Sequence, residues 1–270
     1  MPGAKKRFGQ HFLVDPRKAG KIVDSLEIKP GDAVLEIGPG TGILTERILA
    51  HDVALTAVEL DREMIAPLMA RFGGHKNLTI VNQDIIKLNP RDFAPPAGLK
   101  ILGNLPYNIS GAIMEWFIEY NDVIRRAVVT VQKEVADRIR ATSPGRDYGS
   151  LTVMIQSYFD IKKLFDIPPG CFSPPPKVYS TVLLLTSDRK FPDDMVYSDF
   201  RDFLRACFSH KRKLLVNSLS AVGAQGNSLS KGQLEKYLAR LGKKANIRAE
   251  ELKLDEFLEL FRLVRGQDER

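Results

Sequence analysis

The chain has 270 residues, of which 44% are hydrophobic, and a formal net charge of +7. This length allows one large domain with a filled core and one small domain. No apolar run approaches the roughly 18 residues that a membrane helix needs, and no charged-then-apolar leader opens the sequence, so we expect a cytoplasmic protein with no membrane partner. Two cysteines are too few for a disulfide framework, and no Cys/His spacing predicts a metal site. The positive charge favours a polyanionic partner.

In the first 190 residues, short apolar runs alternate with segments of helical period. This is the pattern of strand–helix units around a parallel sheet. Strands are predicted at residues 33–37, 53–58, 78–81, 99–102, 126–131 and 178–185, and helices at 43–50, 62–72 and from 110 onwards. Beyond the linker-like residues 190–194, amphipathic helices are predicted at 196–208, 211–219, 231–241 and 254–264. We therefore predict an α/β catalytic domain over 1–189 and a small all-α domain over 190–270.

A glycine-rich segment, residues 36–42, lies between the first predicted strand and its helix. Its glycines, Gly38 and Gly40 among them, allow a tight turn and close approach of a ligand. The spacing does not match the usual G-x-G-x-x-G of pyrophosphate sites, and the segment has no basic residue to meet phosphates. Alone, such a turn is compatible with a nicotinamide cofactor, a flavin or no ligand.

Carboxylates end the next two predicted strands. Glu59 is placed to accept hydrogen bonds from both hydroxyls of a ribose, and Asp84 to accept one from an adenine amino group. The alternatives are a solvated strand end for Glu59 and a turn-capping carboxylate for Asp84. Together with the glycine segment, these residues suit an adenosine that carries no phosphate. The sequence therefore predicts S-adenosyl-L-methionine as cofactor.

The fourth strand ends at the tetrapeptide Asn104-Leu105-Pro106-Tyr107, at the sheet edge where α/β enzymes bind ligands. Asn104 offers a carboxamide oxygen, and Pro106 removes a backbone donor while leaving the Leu105 carbonyl free to accept. Tyr107 offers a flat face on which a base can stack. Two acceptors and a platform suit an exocyclic amine, whereas the alternative is an Asn-Pro turn with a buried tyrosine. A methyl donor beside such a loop predicts an amine methyltransferase.

Basic clusters occur near the start of the chain and in the helical tail. Lys5, Lys6 and Arg7 form the first, and Lys211, Arg212 and Lys213 form the second. Such clusters suit contacts to RNA phosphates, which give affinity without reading sequence. A solvated face is the alternative for each.

These segments, together with residues 8–13 and Phe172 to Val178, resemble in order the ribosomal RNA adenine N6,N6-dimethyltransferase family, most closely the small-subunit branch responsible for kasugamycin sensitivity. The resemblance implies a class I, Rossmann-like methyltransferase fold with a helical C-terminal domain. It implies a monomer active in small-subunit biogenesis, with S-adenosyl-L-homocysteine as product. The substrate would be two adjacent adenosines in a terminal hairpin near the 3′ end of 16S ribosomal RNA, each methylated twice.

The resemblance also assigns roles to individual positions. The residues expected at the cofactor are His11, Leu13, Gly38, Gly40, Glu59, Asp84 and Asn104. At His11 the family often has Asn, so a backbone contact is expected there. The catalytic residues would be Asn104, Leu105 and Tyr107, with Phe172 closing the opposite face of the target base. Two alternatives stay open: a large-subunit adenine methyltransferase, and an assembly or transcription factor with the same fold.

Overall fold

The structure is a computed structural model that describes residues 10–210, 213–220 and 230–266. It divides into two compact units, the first comprising residues 1–136 and 159–188 and the second residues 137–158 and 189–270. Five of the residues predicted to bind RNA lie outside the described residues: Lys5, Lys6, Arg7, Lys211 and Arg212. Within the described part of the chain, no helix has the length and apolar character needed to cross a membrane.

The first unit is built on a seven-stranded sheet and a small two-stranded sheet. The strands are β1 (Phe12–Leu13), β2 (Ala33–Ile37), β3 (Ala54–Glu59), β4 (Leu78–Asn82), β5 (Leu99–Asn104), β6 (Ile124–Gln132), β7 (Phe159–Ile167), β8 (Phe172–Ser173) and β9 (Ser180–Ser187). The large sheet has the order β4-β3-β2-β5-β6-β9-β7, in which β9 pairs antiparallel with β6 and β7. The other pairs are parallel. The α/β class predicted from the sequence is confirmed.

Helices flank the parallel strands. α1 (Pro16–Ser25) precedes β2, and α5 (Lys133–Ile139) follows β6 directly. The connecting helices are α2 (Ile43–Ile48), α3 (Arg62–Phe72) and α4 (Ser110–Glu119). The sequence analysis did not predict α1, although its start has a clear signal. The Asp15 side chain accepts from the backbone N–H groups of Arg17 and Lys18, and Pro16 occupies the first turn.

The register of the parallel strands brings several chain segments to one edge of the sheet. Ile37 pairs with Val58 on one side and with Gly103 on the other. The residues that follow β2, β3 and β5 therefore meet at the carboxyl edge. At Gly103, an added Cβ would lie 2.8 Å from the Ile37 carbonyl oxygen, so this position requires glycine for β5 to approach β2.

The second unit is helical. Its helices are α6 (Ser150–Gln156), α7 (Tyr197–Cys207), α8 (Leu215–Ser220), α9 (Lys231–Arg240) and α10 (Leu254–Arg265). Aromatic rings pack between α7 and α10, for example Phe200 against Phe261 with centroids 5.3 Å apart. The apolar periodicity that predicted the last helices reflects this core.

The predicted domain boundaries need one correction. Residues 137–158 were assigned to the catalytic domain but belong to the second unit. The Ser157 carbonyl accepts from the backbone N–H groups of Lys190 and Phe191, and the Tyr158 ring stacks on Phe191 with centroids 5.4 Å apart. Burial of these aromatic rings ties the segment to the residues after 189, a long-range contact that sequence order does not reveal.

Candidate active site

A cavity lies at the carboxyl edge of the parallel strands, in the first unit. It is lined by Gln10, His11, Phe12, Gly38, Gly40, Glu59, Leu60, Asp61 and residues 104–109. Among the described residues, neither a lysine nor an arginine lines it, whereas the carboxyl groups of Glu59 and Asp61 are both buried beside it. Such a lining favours a ligand that is cationic and has no phosphate.

The glycine turn after β2 forms one wall of this cavity. Gly38 and Gly40 have φ angles of 67° and 53°, in the left-handed region that favours glycine. A Cβ at Gly40 would lie 2.8 Å from Cδ1 of Phe12. The turn therefore has no room for a side chain at Gly40. The approach of a ligand to its backbone stays a prediction.

Glu59, at the end of β3, is fixed against the glycine turn. Its Oε2 accepts from the Gly40 N–H at 3.1 Å, and its Oε1 accepts from the Asp61 N–H at 2.8 Å. Burial raises the pKa of this carboxyl group above its ordinary value. Each carboxylate oxygen can accept a second hydrogen bond, so the held carboxylate keeps capacity for ligand hydroxyls.

A second carboxyl group, that of Glu36, lies beneath the turn and was not among the predicted site residues. Its Oε2 accepts from the Thr45 hydroxyl at 2.7 Å, while its Oε1 is buried and has no hydrogen-bond partner. Burial, with a further contribution from the charge of Glu59, raises the pKa of Glu36 to about 8. This group is therefore largely protonated at neutral pH.

Asn104 ends β5 at the same cavity. Its Nδ2 donates to the His11 carbonyl at 2.8 Å, which fixes the orientation of the carboxamide. The opposite atom, Oδ1, is buried and has no partner. A buried polar atom without a hydrogen bond is unusual and costly, so this acceptor is a strong candidate for a ligand contact.

Backbone hydrogen bonds anchor the tetrapeptide and occupy one of its carbonyl groups, that of Pro106. The Leu105 N–H donates to the Thr130 carbonyl at 3.0 Å and anchors the segment to β6. The Ser110 hydroxyl and the Ile109 N–H both donate to the Pro106 carbonyl, at 3.1 and 3.2 Å. These two donors thus engage the Pro106 carbonyl and not that of Leu105, the predicted second acceptor.

Tyr107 is held at both its hydroxyl and its ring. The hydroxyl lies 2.6 Å from Ser180 Oγ, and burial raises the pKa of the phenol. The His11 imidazole stacks on the ring, with centroids 5.2 Å apart and planes 30° from parallel. Nδ1 of His11 lies 2.8 Å from the Pro174 carbonyl, which can only accept, so Nδ1 carries the hydrogen. The His11 carbonyl accepts from Asn104 and its ring contacts Tyr107 and Pro174, while a contact of His11 with the cofactor stays a prediction.

Two predicted site residues face the core. Phe172 and Leu13 pair in register between β8 and β1, and each is 3% exposed within a hydrophobic cluster. The expectation that Phe172 closes the far face of the target base is therefore corrected, because burial of the ring against apolar neighbours stabilises it there. The Leu13 side chain is equally enclosed, which leaves only its backbone to face a ligand.

Asp84 lies after β4, at the carboxyl edge of the sheet, but is not part of the cavity lining. Its Oδ1 accepts from the Ile86 N–H at 3.1 Å and caps a short 3₁₀ turn, the alternative role that the sequence left open. Two apolar side chains that follow the strand-end carboxylates, Leu60 and Ile86, are 46% and 37% exposed. Neither side chain was predicted as part of the site. The available signal was an apolar residue one or two positions after each strand-end carboxylate.

Comparisons with known proteins agree on one family. Residues 1–264 match the family model described as ribosomal RNA adenine dimethylase. The chain is 39% identical to the ribosomal RNA small subunit methyltransferase A of Acidobacterium capsulatum, over 96% of this chain and 91% of that protein. A dimethyladenosine transferase from Plasmodium falciparum is similar in structure, with a TM-score of 0.77 and 28% identity over 93% of this chain and 96% of that one. The 23S rRNA methyltransferase ErmE has a TM-score of 0.70 and 26% identity, over 94% and 99%.

Proposed function

Because the chain belongs to the ribosomal RNA adenine dimethylase family, we propose that it methylates N6 of two adjacent adenosines near the 3′ end of 16S ribosomal RNA. The methyl groups come from S-adenosyl-L-methionine, and the products are N6,N6-dimethyladenosines. The observation that carries this proposal is the Asn104 carboxamide, whose Nδ2 is held by a backbone carbonyl while its Oδ1 is buried and unpaired. An amine N–H of the target base is the donor that this acceptor lacks.

The residues of the cavity fit the cofactor. Glu59 accepts the ribose hydroxyls, and the glycine turn admits the ligand close to the backbone at Gly38 and Gly40. Asp84, which lies outside the cavity lining, would accept from the adenine amino group, and the exposed side chains of Leu60 and Ile86 would pack against the adenine. When bound, the cofactor supplies an electrophilic methyl carbon on a cationic sulfur. The buried carboxyl groups suit that positive charge, as does a lining whose described residues include no lysine or arginine.

The tetrapeptide orients the nucleophile. An adenine amine is a poor nucleophile because its lone pair is delocalised into the ring. Hydrogen bonds from its N–H groups to Asn104 Oδ1 and the Leu105 carbonyl favour a pyramidal nitrogen, while Tyr107 holds the base by stacking. Such orientation of reactants can contribute roughly 7–11 kcal/mol to catalysis.

No strong base is required before attack, because the nitrogen becomes acidic only after it gains the methyl group. The monomethylated amine keeps one N–H, so one of the two acceptors, Asn104 Oδ1 or the Leu105 carbonyl, can still orient it and a second transfer is physically allowed.

The partner is the small ribosomal subunit, bound in the cytoplasm by a monomer. The helical domain binds RNA phosphates through Lys211, Arg212 and Lys213. The side chain of Lys213 is exposed. Lys5, Lys6 and Arg7 provide further positive charge for the same RNA. Since such contacts release counterions, affinity for small subunits should fall steeply with rising salt. Binding that is insensitive to salt would contradict this part of the proposal.

One alternative function, methylation of adenine in large-subunit ribosomal RNA, has specific support, because the structural similarity to ErmE extends over 94% of the chain. The deciding experiment offers labelled methyl donor with unmethylated small subunits and, separately, with large-subunit RNA, and then maps the product. We expect dimethyladenosine at two adjacent positions of 16S RNA only. Label in 23S RNA would favour the alternative, and tight binding to small subunits without label would favour an assembly factor.

A further inference from the structure

Tyr179 is unusual among the aromatic residues of this protein. Its side chain is 52% exposed, and it is the only exposed phenylalanine, tyrosine or tryptophan in the described part of the chain. The six other tyrosines are buried or half-buried. An exposed aromatic ring next to a functional site is a frequent mark of a binding surface.

The position of Tyr179 ties it to the target-base site. It directly precedes Ser180, the first residue of β9, and Ser180 Oγ lies 2.6 Å from the Tyr107 hydroxyl. Tyr179 therefore lies one residue along the chain from the side chain that contacts the Tyr107 hydroxyl.

The backbone that presents the Tyr179 ring is fixed. The Tyr179 carbonyl accepts from the Lys133 N–H at 3.0 Å, and Ser180 pairs with Gln132 of β6 and Ile167 of β7. The ring therefore projects from an anchored strand end, which reduces the conformational entropy lost when a ligand stacks on it.

The neighbours of Tyr179 along the chain are apolar and basic. Val178 is 45% exposed beside the ring, Lys177 is exposed two residues away, and no acidic residue occurs between positions 168 and 187. A stacking platform next to a cation is the combination that binds single-stranded nucleic acid.

We propose that Tyr179 forms a second stacking subsite, which holds the nucleobase adjacent to the target adenine in the RNA strand. This inference rests on the proposed function, because it needs a target base at Tyr107. When the target base turns out of its stack into the cavity, its neighbour loses a stacking partner, and the Tyr179 ring replaces that partner. The subsite thereby favours unpaired adjacent bases over a single exposed base.

The test is a double-mutant cycle, in which the affinity for an RNA hairpin with two adjacent unpaired adenosines is measured after a change in the protein, in the RNA or in both. The probe is the intact hairpin and a copy that is abasic at the neighbour position. For the wild-type protein, removal of that base should weaken binding about tenfold, the size of one base–aromatic stack. Tyr179→Ala should bind the two RNAs almost equally, and Tyr179→Phe should retain the difference. Met69→Ala, a change at a side chain that is 51% exposed on α3, serves as control and should also retain it.

Two results would overturn the proposal: a wild-type protein indifferent to the missing base, or a Tyr179→Ala variant that still discriminates. Neither readout requires methyl transfer. If the cycle holds but the wild-type protein leaves small-subunit RNA unmethylated, the proposed function fails while the stacking subsite stands. If methylation occurs and the cycle fails, only the subsite is wrong. Unchanged cofactor affinity in all three variants, measured by calorimetry, excludes a general loss of structure.

Discussion

The two halves of the cavity differ in how far the protein itself satisfies the polar side chain that lines each of them, Glu59 in one and Asn104 in the other. In the half formed by the glycine turn and Glu59, both carboxylate oxygens already accept backbone N–H groups. In the half formed by residues 104–107, Asn104 Oδ1 is buried without a partner. The first half is held together by its own hydrogen bonds, whereas the second is complete only when a donor enters. On the proposed function, we therefore expect Glu59 to contribute mainly to cofactor binding and Asn104 mainly to orientation of the base.

The largest effect is expected from a change at Asn104, in the half of the cavity that orients the target base. Asn104→Ala should lower the single-turnover methylation rate about 100-fold, because the amine loses its orientation. Cofactor affinity, measured by calorimetry, should change far less. Asn121→Ala is the matched control, since Asn121 Nδ2 also donates to a backbone carbonyl, that of Ile118 at 2.7 Å. Equal losses of rate and cofactor affinity in the Asn104 variant would refute the assignment.

The opposite pattern is expected for Glu59→Gln, in the half of the cavity proposed to bind the cofactor: cofactor affinity should fall while the methylation rate is kept. The neutral amide weakens hydrogen bonds that a carboxylate makes to hydroxyls, at a cost of about 1.5–3 kcal/mol, or on the order of tenfold or more in cofactor affinity. At saturating cofactor, the methylation rate should be nearly preserved. A variant with normal affinity and a collapsed rate would place Glu59 in the chemistry and erase the distinction between the halves.

Glu36 tests the electrostatics beneath the glycine turn. Its pKa is raised from 4.5 to about 8, so the folded protein keeps a proton that the unfolded chain releases above pH 4.5. The free energy of unfolding should therefore fall as pH rises from about 4.5 to about 8, by at most about 1.4 kcal/mol per pH unit from this group. Glu36→Gln should flatten that dependence in denaturant titrations at several pH values. An unchanged slope would show that Glu36 ionises freely in the folded protein.

The smallest effects are expected at Tyr107. Loss of its ring in Tyr107→Ala should weaken RNA capture by roughly fivefold to tenfold, as for one stacked base, with little change in cofactor affinity. Tyr107→Phe keeps the ring, loses only the contact to Ser180 and should be mild; Ser180→Ala is its control. If Tyr107→Phe were as damaging as Tyr107→Ala in RNA titrations, the hydroxyl and not the ring would be the important group.

The sequence predicted the parallel sheet because its central strands are apolar and separated by turn residues. The helix at residues 62–72 appears with the predicted bounds, and β5 begins at residue 99 as predicted but extends two residues beyond the predicted end, to Asn104. β7 was missed, since Lys162 and Lys163 interrupt its apolar pattern at the edge of the sheet. The helix α1 was missed although Asp15 and Pro16 mark its start.

The site was predictable where function depends on the residue type at a strand end, as for Gly40, Glu59 and Asn104. Side-chain direction was not predictable. Phe172 belongs to the core because its strand pairs with β1, a contact across more than 150 residues that no local pattern shows. The same holds for His11, whose contacts with Tyr107 and Pro174 depend on the fold.

The most direct test of the account asks whether Asn104 Oδ1 accepts a hydrogen bond from the target amine. The measurement is the binding affinity of two RNAs, one with adenosine at the target position and one with purine riboside, which lacks the amine. Each RNA is titrated with the wild-type protein and with Asn104→Ala. The account predicts that the wild-type protein prefers adenosine by about 1 kcal/mol, the net value of one hydrogen bond, and that the variant loses this preference. A preference of the same size in both proteins would contradict it.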